Sequence, residues 1–99
     1  MNILKDYDNK DLTLSVEGRI DTLTSQDLEK EINEELGKFD SLVIDFEKVE
    51  YISSAGLRVL IATQKKLKST DTPMVIKNVN ETINEIFRMS GFDKILKIE

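Results

Sequence analysis

Apolar and polar residues alternate cleanly near the start of this chain, where Leu12, Leu14 and Val16 stand against Thr13, Ser15 and Glu17. A period of two belongs to a strand with one buried face. Residues 2 to 7 share this strand character, and Asp8-Asn9-Lys10 between the two runs reads as a turn, so an opening β-hairpin is expected. The period then lengthens. After Gly18-Arg19-Ile20-Asp21 a helix is expected to start at Thr22 or Thr24, to bury Leu28, Ile32 and Leu36 at i, i+4 and i+8, and to stop at Gly37. Leu42, Val43, Ile44 and Phe46 form a nearly continuous apolar run, the pattern of a central strand covered on both faces.

The second half repeats the alternation of strand and helix. A helix is predicted from about Ser54 to Ser69, with Leu57, Leu60, Ile61 and Leu67 as its inward stripe and Lys65, Lys66 and Lys68 near the negative end of its dipole. Asp71-Thr72-Pro73 breaks the chain, and Met74, Val75, Ile76 and Val79 suggest a fourth strand. Asn80 can cap a short third helix with Ile83, Ile86 and Phe87 inward and Ser90-Gly91 at its end. Ile95, Leu96 and Ile98 are too few for their period to decide between an edge strand and a final helix. The expectation is one α/β domain over residues 1–99, with a mixed sheet of four to five strands, an opening hairpin, later parallel strands and helices packed on the sheet.

Composition narrows the chemistry. With no His and no Cys, the usual zinc sites, imidazole dyads and triads, thiolate nucleophiles and disulfides are all excluded. A carboxylate pair such as Asp21 with Asp45 is the remaining route to acid–base work, and without a metal motif the reading is a non-enzyme with no catalytic residue, cofactor or metal. The net charge of −5 disfavours nucleic acid and anionic membranes, so a protein partner is expected. Gln64-Lys65-Lys66-Leu67-Lys68 lacks interleaved aromatics and reads as a solvated helix end. The start of the chain meets charge too early for a secretory peptide and no apolar run could cross a bilayer, so a cytoplasmic protein without membrane insertion is expected, as a monomer or weak dimer.

The candidate chemistry sits at two corners, Ser53-Ser54-Ala55-Gly56 and Asp21-Thr22. A helix start offers unpaired N–H groups that suit an anion, so a hydroxyl there is a place for a phosphate. From spacing alone the plainer reading is that Ser53 or Ser54 only caps the helix and that Asp21 is a turn or cap residue. Gly56 costs helix propensity in a first turn, which calls for close approach, either by a partner backbone or by a strand of the domain itself.

Gly18-Arg19-Ile20-Asp21, the strand Leu42-Val43-Ile44-Asp45-Phe46, the run Tyr51-Ile52-Ser53-Ser54-Ala55-Gly56-Leu57-Arg58-Val59-Leu60 and the late turn Ser90-Gly91-Phe92 together resemble the STAS domain of bacterial anti-sigma factor antagonists, over essentially the whole chain. The resemblance implies partner switching. The unphosphorylated protein would bind an anti-sigma factor that is also an ATP-dependent serine kinase, freeing the sigma factor; phosphorylation would reverse this, and a metal-dependent serine phosphatase would restore it. The phosphoacceptor implied is Ser54, with Ser53 as the alternate, because many family members carry Asp where this chain has Ser53. Asp21 matches the family aspartate near the phosphoacceptor, expected to orient Ser54 and the kinase's nucleotide. Thr22, Ser53, Ala55, Gly56, Leu57, Arg58 and Met89 are the further partner-contact candidates. STAS-like chains also resemble accessory subunits of lipid transporters and of signalling assemblies, where the serine corner would dock without a phosphate cycle.

Overall fold

The computed structural model describes residues 1–99 and orders the elements as β1 (Asn2–Asp8), β2 (Asp11–Ile20), α1 (Thr24–Glu35), β3 (Ser41–Ile52), α2 (Ser54–Lys68), β4 (Met74–Lys77) and α3 (Glu81–Ser90), with a 3-10 turn over Phe92–Lys94. The sheet runs β1-β2-β3-β4, antiparallel between β1 and β2 and parallel thereafter. The expected hairpin forms, with Asn9 at φ 58° in its turn. The ambiguous tail forms the 3-10 turn and then a parallel bridge from Ile98 to Ile76 on the outside of β4.

One expectation needs correction. β3 is central, yet only one of its faces is covered. Leu12, Leu14, Leu42, Ile44 and Phe46 are fully buried beneath the helices, and Phe87 of α3 meets Phe46 with ring centroids 6.3 Å apart. Thr13, Val43 and Val75 lie side by side in register and are half-buried on the other face. Val43 made the run look doubly covered because a β-branched side chain suits an open row of cross-strand neighbours as well as a core.

Both long strands extend beyond their clean alternation, for a reason visible in the pairing. Ser15 faces Asp45, but Glu17 faces Lys48; Gly18 faces Val49, but Arg19 faces Tyr51. β3 therefore carries an extra residue at two places. Each bulge rephases the side chains, so the inward residues run Phe46, Val49, Ile52 at spacings of three. Gly18, at φ +100°, accommodates the same region on β2.

β1 is strapped to α1 by charge. Lys5 Nζ lies 2.7 Å from Glu31 and 3.1 Å from Glu35, and the Tyr7 hydroxyl donates to Glu35 at 2.7 Å. Partial burial, reinforced by that carboxylate, pushes the Tyr7 phenol up to about 12.

Parallel pairing brings the ends of β2 and β3 to one rim, with Ile20 beside Ile52 and the Ser53 amide donating to the Ile20 carbonyl at 2.8 Å. α2 starts there, pressed onto the strand ends. A Cβ on Gly56 would stand 2.7 Å from Ile20 Cγ2 and 2.8 Å from Ile52 Cγ1, and both isoleucines are buried and cannot yield. Overpacking of this kind costs about 1–3 kcal/mol, against a helix-propensity gain of about 1 kcal/mol for alanine. Gly56→Ala is therefore expected to lower the urea unfolding midpoint; a midpoint equal to or above that of the unsubstituted protein would show that the contact is not tight.

Candidate functional site

The rim holds two corners side by side. At the first, Asp21 Oδ1 accepts from the amides of Leu23 at 3.0 Å and Thr24 at 2.9 Å, while the Asp21 amide donates back to Thr24 Oγ1 at 2.8 Å. The Thr24 hydroxyl proton has Arg19 O at 2.7 Å and Asp21 Oδ1 at 3.0 Å to choose between. This reciprocal arrangement satisfies the orphan donors of the α1 start. The Thr24 hydrogen bonds, with the Leu23 amide and the Arg19 charge behind them, hold the Asp21 carboxyl below its ordinary range.

At the second corner the two serines divide the work. Ser53 is the extended N-cap of α2, half-buried, and its Oγ accepts from the Gly56 amide at 3.2 Å. Ser54 is exposed, and its Oγ has one partner, Arg58 Nη2 one turn along, which donates at 3.4 Å. One hydroxyl is a structural cap; its neighbour is open to solvent.

Of the other residues nominated from sequence, Thr22 and Arg58 are exposed and Ala55 is half-buried, and these three line a cleft of about 350 Å³ between α1 and α2, together with Gln26, Glu29 and Ala62. Gly56 and Leu57 are buried, so they shape the corner from beneath. Gly56's close approach is to Ile20 and Ile52 of the domain itself. Met89 is not brought to this site. Asn80, which caps α3, is tied to the Val49 carbonyl near the rim, and Met89 sits nine residues along the axis, about 13 Å away at 1.5 Å per residue. It is 80% exposed.

Two features of the rim escape a reading by periodicity. Leu23 is 76% exposed beside Thr22, although a leucine at a helix start would ordinarily join the core. The signal available was its position, five residues before Leu28 and so off the stripe of Leu28 and Ile32. Arg19 lies 4.5 Å from the centre of the Tyr51 ring, a cation–π pair across β2 and β3 that only their bulged register brings together. No group of three or more acidic side chains is placed to hold a metal ion, and no helix is long and apolar enough to cross a membrane.

The fold and this corner define a class. The family model for the STAS domain matches residues 2–99. The anti-sigma-F factor antagonist RsfB of Mycobacterium tuberculosis is 35% identical over 86 residues, covering 86% of this chain and 70% of that protein. The crystal structure of an anti-sigma factor antagonist from Mycobacterium paratuberculosis superposes with a TM-score of 0.89 at 28% identity, over 98% of this chain and 83% of that one. The Bacillus cell fate determinant SpoIIAA in its phosphorylated form shares the fold, with a TM-score of 0.78 at 14% identity over 99% of this chain and 91% of that one. The chain belongs to the STAS-domain family of anti-sigma factor antagonists.

The Asp21 box carries a pH dependence. A carboxyl whose folded pKa is depressed contributes stability that is present above its unfolded pKa and is lost as pH falls through the folded value. The gap in melting temperature between the unsubstituted protein and Asp21→Ala should therefore be widest near neutral pH and close as pH drops below the ordinary carboxylate range. Asp21→Asn, which keeps an acceptor oxygen, should fall between the two near neutrality. A gap independent of pH would exclude the carboxylate as its source.

Proposed function

We propose that this protein is the phosphorylatable component of a partner switch. Unphosphorylated, it binds an anti-sigma factor that is also a serine kinase, and so releases the sigma factor. The kinase transfers the γ-phosphoryl group of its own ATP to Ser54: the Ser54 Oγ–P bond forms, the bond from the γ-phosphorus to the bridging oxygen breaks, ADP leaves, and the hydroxyl proton passes to a base of the partner. A metal-dependent serine phosphatase hydrolyses the ester and restores the binding form.

The observation that carries this reading is the contrast between adjacent hydroxyls, since Ser53 is committed to the Gly56 amide while Ser54 is exposed and engaged only by Arg58. Ser54 can enter a kinase site without uncapping the helix; Ser53 cannot. The names of the relatives support the anti-sigma partner. Thr22, Ala55 and Arg58 line the α1–α2 cleft, Arg58 reaches Ser54, and Leu23 is exposed next to Thr22; together they form a mixed apolar and polar docking surface, with Leu23 the apolar anchor. Asp21, fastened to the α1 start, serves by holding Thr22 and Leu23 in place.

A phosphate adds about −1.5 to −2 charge at a helix start, where the fold tolerates it, so regulation acts at the docking surface rather than through unfolding. Burying that charge against a partner built for a neutral hydroxyl costs several kcal/mol. Ser54→Asp is therefore expected to weaken anti-sigma binding by about 100-fold, roughly 3 kcal/mol, in calorimetric titration, while Ser54→Ala binds and no longer responds to ATP. Ser53→Ala should lose about 1 kcal/mol of stability, as for a lost cap, and still gain one phosphate by mass spectrometry. If both Ser54 variants cycle like the unsubstituted protein, the switch at Ser54 is wrong; binding without any mass shift would point to a docking subunit with no phosphate cycle.

Leu23→Ala gives a separate check. Its side chain is mostly in solvent, so the melting temperature should hardly move, whereas the affinity for the anti-sigma factor should fall about tenfold or more. Unchanged affinity would remove Leu23 from the docking surface.

A further inference from the structure

The chain has three arginines, and they differ in how they are occupied. Arg19 stacks over Tyr51, and Arg88 is paired with Glu85 on the preceding turn of α3. Arg58 makes no ion pair. Its guanidinium reaches no carboxylate, although Glu29 lines the same cleft, and its side chain leans back along α2 to the Ser54 hydroxyl at 3.4 Å. That is a long contact for a neutral acceptor. A guanidinium held one helical turn from a hydroxyl, with its charge otherwise unused, matches a phosphate ester far better than it matches serine. The planar fork can donate two parallel hydrogen bonds to phosphate oxygens, and charge-assisted bonds of this kind are shorter and stronger.

Taking Ser54 as the phosphoacceptor, as in the reading above, we propose that Arg58 is the phosphate's receptor within the same chain. The unphosphorylated rim presents Arg58 as a free cation on the wall of the α1–α2 cleft. In the phosphorylated rim the guanidinium is drawn onto the ester, which pins the phosphate to the surface of α2. The modification thus changes two surface charges together: an anion appears, and the cation on the cleft wall is withdrawn.

The test uses the full chain with phosphoserine installed at position 54 during synthesis, independent of any kinase, and follows the phosphorus-31 shift of the ester against pH. The charged groups around the corner are Arg58 and Glu29 of the cleft and Asp21 and Arg19 of the neighbouring corner, and only Arg58 changes between the samples. In the unsubstituted chain the second ionisation of the phosphate should lie about half a pH unit or more below that in Arg58→Gln, at least a roughly threefold difference in proton affinity. Arg58→Lys, which keeps the charge without the fork, should fall between them. Identical titrations in the unsubstituted chain and Arg58→Gln overturn the proposal. Because the phosphate is installed synthetically, a kinase that fails to modify Ser54 would sink the switching reading and leave this result standing, and the reverse outcome is equally distinguishable.

Discussion

The seating of α2 on the ends of β2 and β3 is the contact on which everything else rests. A helix start brought this close to two strand ends needs a residue without a side chain, and Gly56 lies where a methyl group would strike Ile20 and Ile52. The closeness has chemical results. It aligns the Ser53 amide with the Ile20 carbonyl, fixes Ser53 as the cap, and turns Ser54 outward. It also sets the Asp21 corner next to the serine corner, because Asp21 and Ser53 directly follow the paired residues Ile20 and Ile52. A helix standing off the sheet by the width of one methyl group would keep the same residues and lose this arrangement.

Division of labour between neighbours runs through the rim. Asp21 and Ser53 spend their polar atoms on backbone amides, which makes two helix starts rigid. Thr22, Leu23, Ser54 and Arg58 lie within five residues of those anchors and keep their side chains at the surface. Rigid anchors beside open side chains let a surface change its charge without disturbing the fold beneath it. The buried side of α2, with Leu57, Leu60, Thr63 and Leu67, joins the main core and stays apart from the face that a partner would meet.

Much of this was legible in the sequence, and the exceptions have physical causes. The hairpin, the three helices and their order follow from periods of two and about 3.6 together with Asn80, Gly37 and Gly91 as punctuation. The ends of β2 and β3 were obscured because two bulges shift the inward residues from spacings of two to spacings of three, and periodicity cannot see a bulge. Val43 misled about the second face, since apolarity records β-preference as well as burial. In the site, the corners themselves were legible as motifs, but the different occupations of Ser53 and Ser54 depend on which hydroxyl points at the Gly56 amide. Met89, a contact candidate from sequence, lies far along α3 from the end tied to Val49, because direction along a helix axis is not written in its residue type.

The two margins of the sheet differ in a way that bears on self-association. Along β4 the outward amide and carbonyl of Ile76 are already taken, by Lys97 and Glu99 of the returning tail, and the strand is only four residues long. β1 offers seven residues with nothing laid against their far side. Another chain could add a strand at one margin alone. Two copies joined there, margin to margin across a twofold axis, would occupy each other's open ladder, so addition at this margin closes at the pair.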